Sequence, residues 1–313
     1  MFRILFIDSN HHLLIDTLRA NGFVCEEDYA SSMEEIQEKI ADYDAIVIRS
    51  RFKIDAEFIE AGKKLKCIAR AGAGMENIDV AFAEEKGIKC VHAPEGNRDA
   101  VGEQATGMLL ALMNNVCRAD REVRSGHWIR EGNRGYELQG KTVGVIGFGN
   151  MGSAFVQRLK GFDVKVLVYD KYKKNFGTDE VKESTMEEIF EQADVISFHI
   201  PLTAETNYLV DDTFLSQFKK PVWLINTARG KILDTSALVH FLEHGKVRGA
   251  CLDVSEYENV SFEKMDFSTL PEPFQYLIKS DKVILTPHIA GWTFESNEKI
   301  ARILAAKITA ALS

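Results

Sequence analysis

The sequence predicts an α/β protein with parallel β-sheets that are covered by helices on both faces. Short apolar runs with strand character alternate with segments of helical periodicity from one end of the chain to the other. That alternation is typical of β-α-β units, in which a helix joins two parallel strands. The chain is 313 residues long, about twice the usual length of one domain, so two domains are expected.

Ten apolar runs are predicted to form strands, and they are bounded by polar or glycine-containing segments. They are residues 2–8, 45–50, 65–72, 88–94, 141–149, 164–170, 193–201, 221–228, 249–254 and 282–288. A serine followed three residues later by a glutamate predicts helix starts at Ser32 and at Ser184. Gly245 follows the helix-like residues 236–244, as a C-terminal capping glycine would.

Three longer segments lie between the predicted strands. Residues 99–117 carry apolar side chains three and four positions apart and are predicted to form one long, buried helix. Residues 118–140 are polar and punctuated by glycine, and they are predicted to form an extended arm. Residues 259–280, which contain two prolines and three phenylalanines, are predicted to form an ordered loop.

Composition narrows the class of protein. Lys and Arg number 38 against 47 Asp and Glu, a net charge of −9, which argues against general binding to nucleic acids or anionic membranes. The five cysteines include no CxxC pair, a usage that fits a reducing compartment. No apolar run is long enough to span a bilayer. We expect a cytoplasmic protein without membrane or nucleic-acid partners.

A glycine-rich turn is the clearest motif. Residues 143–152 read VGVIGFGNMG and lead from a predicted strand into a helix-like stretch. In that context a GxGxxG pattern predicts a dinucleotide-binding turn. Gly147 would allow the tight turn, Gly149 the approach of the pyrophosphate, and Gly152 the close packing of helix on strand.

An acidic residue supports the same prediction. The next predicted strand ends at Asp170, where a carboxylate accepts hydrogen bonds from the adenosine ribose. Its negative charge would repel a 2′-phosphate, so NAD is favoured over NADP. The alternative is a structural glycine turn followed by an unrelated aspartate.

Of the eight histidines, one lies where ligands bind in α/β proteins. His288 follows the last predicted strand, at the carboxyl edge of a parallel sheet. His92 and His199 also close strands, but we expect them to bond to neighbouring backbone. His240 and His244 have helical i,i+4 spacing, but no further ligand is apparent, so no metal is expected.

Two other strand ends supply a cation and carboxylates. Arg229 follows the run that ends near residue 228, and the acidic residues Asp253, Glu256 and Glu258 follow the next run. A cation, a carboxylate and an imidazole at neighbouring strand ends form a candidate catalytic group. The alternative is that they are ordinary polar residues at strand ends.

These stretches resemble the D-isomer-specific 2-hydroxyacid dehydrogenase family, which includes the phosphoglycerate dehydrogenases. The matching segments occur in family order over most of the chain. They are IARAGAGMENID (68–79), APEGNRDAVGEQ (93–104), ELQGKTVGVIGFGNMG (137–152), HIPLTAET (199–206), INTARGKILD (225–234), GACLDVSEYE (249–258) and TPHIAGWTFES (286–296).

The resemblance implies two Rossmann-like or flavodoxin-like doubly wound domains, one of them discontinuous. Residues 1–97 and 289–313 would form the substrate domain. Residues 98–288 would form the NAD-binding domain, with a dimerisation helix and arm over 99–140. It also implies a homodimer and a short form without a regulatory domain.

The resemblance further assigns roles to individual residues. Arg229 would bind the substrate carboxylate and keto oxygen, His288 would be the acid/base, and Glu258, rather than Glu256, would orient that histidine and favour its protonated form. The remaining cofactor contacts would be Asn150, Met151, Ile200, Thr227, Ala228, Asp253 and Gly291. The substrate contacts would be Arg49, Ser50, Ala73, Gly74 and Asn97.

The activity implied is hydride transfer between NAD(H) and a small anionic D-2-hydroxy or 2-keto acid. The preferred substrate is D-3-phosphoglycerate, because Arg49 and Ser50 match the place where phosphoglycerate dehydrogenases, which serve serine biosynthesis, hold their phosphorylated substrate. The alternative is a solvated basic loop, because relatives with unphosphorylated substrates can also carry an Arg-Ser pair here. Hydroxypyruvate or glyoxylate reductase is the alternative with the same chemistry. An alternative of another class is an NAD-responsive scaffold that resembles the C-terminal-binding-protein corepressors.

One residue departs from the family pattern near the candidate histidine. Trp292 follows Gly291 where smaller residues are common. We expect its bulk either to narrow the substrate pocket or simply to pack against the last helix.

Overall fold

A computed structural model describes residues 1–258, 267 and 269–313 of the chain. Within these residues the backbone divides into two units. The first unit comprises Met1–Arg98 and Trp292–Ser313, and the second comprises Asp99–Gly291. The chain therefore leaves the first unit once and returns to it for the last helix.

The first unit contains one parallel sheet of five strands. The strands are β1 (Arg3–Phe6), β2 (Val24–Glu27), β3 (Ala45–Ile48), β4 (Cys67–Arg70) and β5 (Lys89–His92). Their order in the sheet is β2-β1-β3-β4-β5, and every pairing is parallel. This is the flavodoxin-like doubly wound order, in which the chain reverses direction across the sheet between β1 and β3.

Helices cover this sheet on both faces. They are α1 (His12–Ala20), α2 (Met33–Lys39), α3 (Ala56–Ala61), α4 (Val80–Glu85) and the C-terminal α12 (Phe294–Leu312), with a 3₁₀ turn at Ile40–Asp42. The predicted capping box at Ser32 is confirmed, because its side chain accepts from the Glu35 N–H and Glu35 accepts from the Ser32 N–H. In α12, Leu304 and Ile308 are buried in one cluster with Phe6 of β1, which fixes the last helix to the first strand.

The second unit contains a parallel sheet of seven strands. They are β6 (Thr142–Ile146), β7 (Lys165–Tyr169), β8 (Lys182–Glu183), β9 (Val195–Phe198), β10 (Val222–Asn226), β11 (Val247–Leu252) and β12 (Val283–Leu285). The order is β12-β11-β10-β9-β6-β7-β8. The strand order reverses between β6 and β9, the switch point where doubly wound sheets bind ligands. The predicted fold class is confirmed.

Seven further helices are assigned among the described residues. They are α5 (Pro94–Met113), α6 (Val116–Arg124), α7 (Asn150–Arg158), α8 (Met186–Gln192), α9 (Asp212–Ser216), α10 (Thr235–Glu243) and α11 (Glu272–Lys279), with 3₁₀ turns at Glu131–Asn133 and Gly230–Ile232. Gly245 follows α10 with φ +74°, as predicted for a C-terminal capping glycine. The buried face of α5, including Met108 and Leu109, packs with Val143 of β6 and Cys251 of β11.

Three predictions about local structure were wrong. The long helix ends at Met113 rather than 117, because Asn115 adopts a left-handed conformation with φ +53°. A second helix, α6, then occupies part of the predicted extended arm. The second capping box lies one residue later than predicted, at Thr185 with Glu188.

The structure describes only part of the predicted loop over 259–280. Residues 259–266 and 268 lie outside the described residues. The end of the segment is helical, because α11 begins directly after Pro271 and continues to Lys279. The loop prediction was wrong there, since a proline at the start of a helix costs no hydrogen bond.

All ten predicted strands are present, and two strands were missed. The missed strands, β2 and β8, are both edge strands, and β8 is two residues long. Their side chains are mostly exposed, so they lack the apolar run that marks the interior strands. Among the helices of the described residues, none has both the length and the apolar character needed to cross a membrane.

His199 follows β9 and is buried. Its Nε2 lies 2.8 Å from the Ser197 hydroxyl, so its partner is a side chain rather than the backbone group that we expected. Burial lowers the pKa of His199 to about 3.

The depressed pKa of His199 predicts an acid-dependent loss of stability. The unfolded chain binds a proton near the ordinary value of 6.5, whereas the folded chain does so only near 3. The free energy of unfolding should therefore fall as the pH drops from 6.5 towards 3, by up to about 1.4 kcal/mol per pH unit. Urea unfolding of the wild type and of His199→Gln at several pH values between about 7.5 and 5 measures this slope. An equally steep slope in the variant would contradict the assignment.

Candidate active site

Two glycines of the turn after β6 are required by close backbone packing. Gly147 has φ +92°, and a Cβ at this position would lie 2.5 Å from the carbonyl oxygen of His199. A Cβ on Gly152 would lie 2.0 Å from the carbonyl oxygen of Gly147. Neither position can accept a side chain without moving backbone, so these residues let α7 pack against the end of β6.

Gly149 differs from the other two because the space beside it is open. A Cβ at this position would meet no atom within 4 Å. Gly149 is also the N-cap of α7, and it offers no side chain to the first N–H groups of that helix. Asn150 and Met151 form the first turn. Open space in front of an uncapped helix N-terminus is what a pyrophosphate needs.

Asp170 follows β7 and links the glycine turn to the next loop. Its Oδ2 accepts the N–H of Phe148 at 2.8 Å, and its Oδ1 accepts those of Tyr172 and Lys173 at 2.9 and 2.8 Å. Burial alone would raise the pKa of Asp170, but these three N–H groups hold it below its usual value. The group is therefore a carboxylate at neutral pH, and it holds negative charge beside the turn.

The residues predicted to lie near the ribose (Ile200) and around the nicotinamide (Thr227 and Ala228) lie at the ends of central strands. Ile200 follows β9 closely, and Thr227 and Ala228 follow β10 directly. The hydroxyl oxygen of Thr227 is buried, and within the described part of the chain it has no hydrogen-bond partner. A buried hydroxyl without a partner is costly. A polar group of a bound cofactor would satisfy it, so these residues fit NAD.

Asn226 holds the loop that carries Arg229. The side chain is fully buried at the end of β10. Its Oδ1 accepts the Ala228 N–H at 3.0 Å, and its Nδ2 donates to the Arg229 carbonyl at 3.0 Å. The Arg229 guanidinium also donates to the Ala228 carbonyl, at 2.6 Å. The buried side-chain amide of Asn226 thus stabilises the turn that contains Arg229.

The Arg229 loop packs directly against the loop after β11. A Cβ on Gly230 would lie 2.0 Å from the carbonyl carbon and oxygen of Ser255, so only glycine permits this approach. The Ser255 N–H in turn donates a short hydrogen bond to Oε1 of Glu258. The loops bearing Arg229 and Glu258 are therefore in backbone contact.

Glu258 and His288 form the central pair of the site. Nδ1 of His288 lies 2.9 Å from Oε2 of Glu258, and both side chains are largely buried. An ionised carboxylate can only accept, so Nδ1 is the donor. Glu256, the rival carboxylate, instead accepts the N–H of Thr235, the first residue of α10, at 3.0 Å. The two glutamates, which are only two residues apart in the sequence, therefore have different hydrogen-bond partners.

Asp253 stabilises the turn that contains His288. The carboxylate is fully buried and accepts from the Thr286 hydroxyl and from the N–H groups of Ile289 and Ala290. Its carbonyl accepts the His288 N–H at 2.8 Å. His288 has φ +55°, a left-handed conformation that is uncommon for residues other than glycine and needs such support. Burial raises the pKa of Asp253, against the effect of these hydrogen bonds.

Gly291 is the last residue of the second unit. It follows Ala290, whose N–H donates to the Asp253 carboxylate. Its predicted contact with the nicotinamide, like that of Asp253, stays a prediction. Among the described residues, three groups donate to the Asp253 carboxylate, which can accept about four hydrogen bonds.

In the first unit, Asp8 organises the predicted substrate loop after β3. Oδ2 of Asp8 accepts the N–H groups of Arg49, Ser50 and Arg51 at 2.6, 3.0 and 3.2 Å. Ser50 is buried, and Arg49 is half-buried. The carboxylate of Asp8 therefore fixes the backbone of the loop that carries Arg49.

The other predicted substrate residues lie on neighbouring segments of the same unit. Ala73 and Gly74 follow β4, and the Ala73 carbonyl lies 2.6 Å from Nδ1 of His92, which is the backbone contact that we expected of this histidine. Asn97 lies in the first turns of α5. Its Oδ1 is buried and, among the described residues, has no hydrogen-bond partner, so a ligand would satisfy it.

The structure brings Glu258, His288 and Asp253 together by direct contacts, and it joins the Arg229 loop to them through Gly230. Sequence reasoning missed a second set of residues that hold the functional ones in place. They are Asp8, Asn226, Gly230 and Ser255. The only signal was their position, because each lies at or just after the end of a predicted strand.

Comparison with known proteins identifies the family of the chain. The family model for the D-isomer specific 2-hydroxyacid dehydrogenase, NAD binding domain, matches residues 106–290. The chain therefore belongs to the D-isomer specific 2-hydroxyacid dehydrogenase family, and the matched residues lie within the second unit.

Curated relatives carry several activities at similar identity. The chain is 39% identical over 296 residues to a D-3-phosphoglycerate dehydrogenase of Archaeoglobus fulgidus, an alignment that covers 94% of this chain and 54% of that protein. It is 38% identical over 293 residues to a glyoxylate reductase of Thermofilum pendens, covering 91% and 83%. It is 38% identical over 276 residues to a hydroxypyruvate reductase of Thermotoga maritima, covering 88% and 87%. The chain thus spans about half the length of the phosphoglycerate dehydrogenase and most of the two reductases.

Solved structures show the same architecture. A D-lactate dehydrogenase from Aquifex aeolicus, complexed with NAD and lactic acid, has a TM-score of 0.83 at 28% identity, covering 99% of this chain and 95% of that one. A glyoxylate reductase from Paecilomyes thermophila has a TM-score of 0.87 at 25% identity, covering 100% and 95%.

Substitutions at two glycines should separate packing from cofactor binding. Gly149→Ala places its methyl group in open space, so we expect an unchanged melting temperature but NADH binding weakened at least about tenfold. Gly152→Ala forces the Gly147 backbone to move and should lower stability by about 1–3 kcal/mol. Thermal melts and NADH fluorescence titrations measure both effects. Unimpaired NADH binding by Gly149→Ala would show that the turn does not hold the pyrophosphate.

Asn226→Asp should displace the loop that carries Arg229, because a carboxylate cannot donate a hydrogen bond to the Arg229 carbonyl. Displacement of a binding group by about 1 Å costs about 100-fold in rate, and we expect a loss of at least this size in kcat/KM for a 2-keto acid. Asn207→Asp, an exposed amide in the same unit, is the matched control. Steady-state kinetics alongside a thermal melt test this, and wild-type kcat/KM in Asn226→Asp would refute the role.

Proposed function

We propose that the chain catalyses reversible, NAD-dependent reduction of a small 2-keto acid to the D-2-hydroxy acid. The observation that carries this proposal is the 2.9 Å contact between His288 and Glu258 at the ends of neighbouring strands β12 and β11, with Arg229 at the end of β10. An acid/base, its orienting carboxylate and an anion-binding cation are the groups that this reaction needs.

The second unit would hold the cofactor through its glycine turn and strand ends. When bound, NADH supplies the hydride that reduces the keto carbon. We assign the pyrophosphate to the N-terminus of α7, the ribose to Asp170 and the nicotinamide to Thr227 and its neighbours. The negative charge of Asp170 supports NAD over NADP, because it would repel a 2′-phosphate.

Arg229 and His288 would act on the substrate itself. The planar guanidinium of Arg229 offers parallel donors that match a carboxylate and an adjacent keto oxygen. With Nδ1 of His288 engaged by Glu258, Nε2 is the ring nitrogen that would give a proton to the developing alkoxide. In the reverse direction the same nitrogen would take the hydroxyl proton. Glu258 stabilises the positive charge on the ring in the protonated state.

The first unit would bind the remainder of the substrate. Arg49 and Ser50, together with the loop at Ala73–Gly74 and with Asn97, are assigned to it. We propose 3-phosphohydroxypyruvate and D-3-phosphoglycerate as the substrate pair, and the cationic Arg49 supports this choice because a phosphate needs such a partner. Reduction of glyoxylate or hydroxypyruvate is the alternative, favoured by the reductases that this chain matches over most of their length.

We also propose that the chain is a cytoplasmic homodimer that pairs through residues 99–140. Large apolar side chains are exposed on this segment, including Val116, Val123 and Trp128, the last with 87% exposure. Exposed apolar side chains concentrated on one segment are typical of an interface between subunits. Five free cysteines support a reducing compartment.

The test is a panel of 2-keto acids with NADH, including 3-phosphohydroxypyruvate, hydroxypyruvate and glyoxylate. His288→Ala and Arg229→Ala should each lower kcat/KM at least about 100-fold, because general acid catalysis and carboxylate binding are lost. NADH affinity, measured by fluorescence, should survive in both variants. His240→Ala, which removes an exposed histidine of α10, should behave as wild type.

Near-normal turnover by either site variant would refute the assignment of these residues. NADH binding without turnover of any acid in the panel would favour the alternative of an NAD-responsive binding scaffold.

A further inference from the structure

Two consecutive carbonyl groups of the loop after β4 are held by the end of β5. The Gly72 carbonyl accepts the N–H of Ala93 at 2.9 Å. The Ala73 carbonyl lies 2.6 Å from Nδ1 of His92, and because a carbonyl can only accept, the histidine ring is the donor. Both peptide groups are therefore turned with their oxygens towards the end of β5.

The same two peptide groups carry the N–H groups of Ala73 and Gly74. The peptide bonds of this loop are trans, and in a planar trans peptide the N–H points opposite to the C=O. Both N–H groups therefore point away from β5. Within the described part of the chain neither of them donates a hydrogen bond, although both residues are half-buried. Successive N–H groups on one side of a loop form a binding place for an anion.

The backbone of His92 is itself fixed at the end of β5. His92 pairs in register with Arg70, the last residue of β4. Nζ of Lys307 in α12 donates to the His92 carbonyl at 2.8 Å, and to the two carboxylate oxygens of Glu95 at 2.8 and 2.9 Å. Because Glu95 lies in the first turn of α5, one ammonium group joins the last helix to the end of β5 and the start of α5. The imidazole that donates to Ala73 therefore extends from a braced backbone.

The bond from His92 determines the direction of one peptide group. Glycine lies on both sides of Ala73, and a glycine backbone rotates more freely than that of any other residue. The peptide between Ala73 and Gly74 could therefore turn over at little cost if nothing held its oxygen. The bond from Ala93 holds only the preceding peptide, so the His92 ring is the group that keeps the Gly74 N–H on the same side as that of Ala73.

We propose that His92 is a positioning residue, which holds the Ala73 carbonyl so that the N–H groups of Ala73 and Gly74 together face the carboxylate of the 2-keto acid. This inference rests on the proposed function, which assigns Ala73 and Gly74 to the substrate and gives His92 no role. His92 acts through one peptide group, and it neither contacts the substrate nor transfers a proton.

The experiment replaces the histidine with two side chains that share a branched shape and differ in their hydrogen-bonding groups. His92→Leu removes the donor. His92→Asn keeps an N–H donor on the atom bonded to Cγ, as Nδ1 is in histidine. The measured quantities are kcat and KM for the acid of the panel that the wild type reduces best, and the dissociation constant of oxamate from the complex with NADH. Oxamate is an unreactive analogue of a 2-keto acid, and its binding is followed by NADH fluorescence.

Loss of the donor should weaken binding of the carboxylate. His92→Leu should raise KM and the oxamate dissociation constant about tenfold, the effect of losing a hydrogen bond to a charged group, with a smaller change in kcat. His92→Asn should bring both constants back to within about threefold of the wild type, because a neutral N–H again holds the Ala73 carbonyl.

Two controls separate this role from general packing. His12→Leu removes an exposed histidine of the same unit and should change none of these constants. The affinity for NADH alone should be unchanged in every variant, because the residues assigned to the cofactor belong to the second unit. Thermal melts establish that each variant is folded under the conditions of the titration.

The outcomes distinguish this inference from the proposed function. Unchanged oxamate affinity in His92→Leu, an equal loss in His92→Asn, or a parallel loss of NADH affinity would overturn the role of His92 and leave the proposed reaction intact. Oxamate binding that responds as expected, without turnover of any acid in the panel, would overturn the reaction alone. Absence of both turnover and oxamate binding in the wild type would remove both proposals.

Discussion

The candidate site depends on one buried carboxylate. Asp253 lies at the end of β11, inaccessible to solvent, and a buried charge is costly unless hydrogen bonds satisfy it. Its partners, the Thr286 hydroxyl and the N–H groups of Ile289 and Ala290, all belong to the turn after β12. Satisfying the carboxylate therefore stabilises a turn in which His288 takes a left-handed conformation. The contact of that histidine with Glu258 follows from the position of the turn.

Close approach of backbones is the second constraint. The loops after β10 and β11 touch at Gly230 and Ser255, and the glycine turn after β6 touches the end of β9 through Gly147. Parallel strands deliver these loops to one edge of the sheet, and glycine allows them to meet without side chains between them. Groups separated widely in sequence are brought to neighbouring positions, and the hydrogen bonds of Asn226 then fix the loop that carries Arg229.

The two units share a structural device that no sequence repeat reveals. In the first unit Asp44, directly before β3, accepts the N–H of Arg3 at the start of β1 at 2.9 Å. In the second unit Asp194, directly before β9, accepts the N–H of Thr142 at the start of β6 at 2.8 Å. Each aspartate joins the first strand to the strand across the switch point. Asp8 joins the same two strands of the first unit at their carboxyl ends. It follows β1, and its carboxylate accepts N–H groups of the loop after β3 that carries Arg49.

Residue order was enough to predict the interior strands, the glycine turn with Asp170, and the family, because apolar runs and glycine spacing are local patterns. Short exposed edge strands such as β8 carry no such pattern, and the helix break at Asn115 depends on a left-handed backbone that residue types only weakly predict. Residue order did not reveal that Glu256 accepts the first N–H of α10 whereas Glu258 bonds to His288. It also did not reveal that Asn226 and Asp253 hold the loops. Each of these roles is a hydrogen bond whose partner is set by the three-dimensional arrangement of strand ends, and residue order alone does not specify that arrangement.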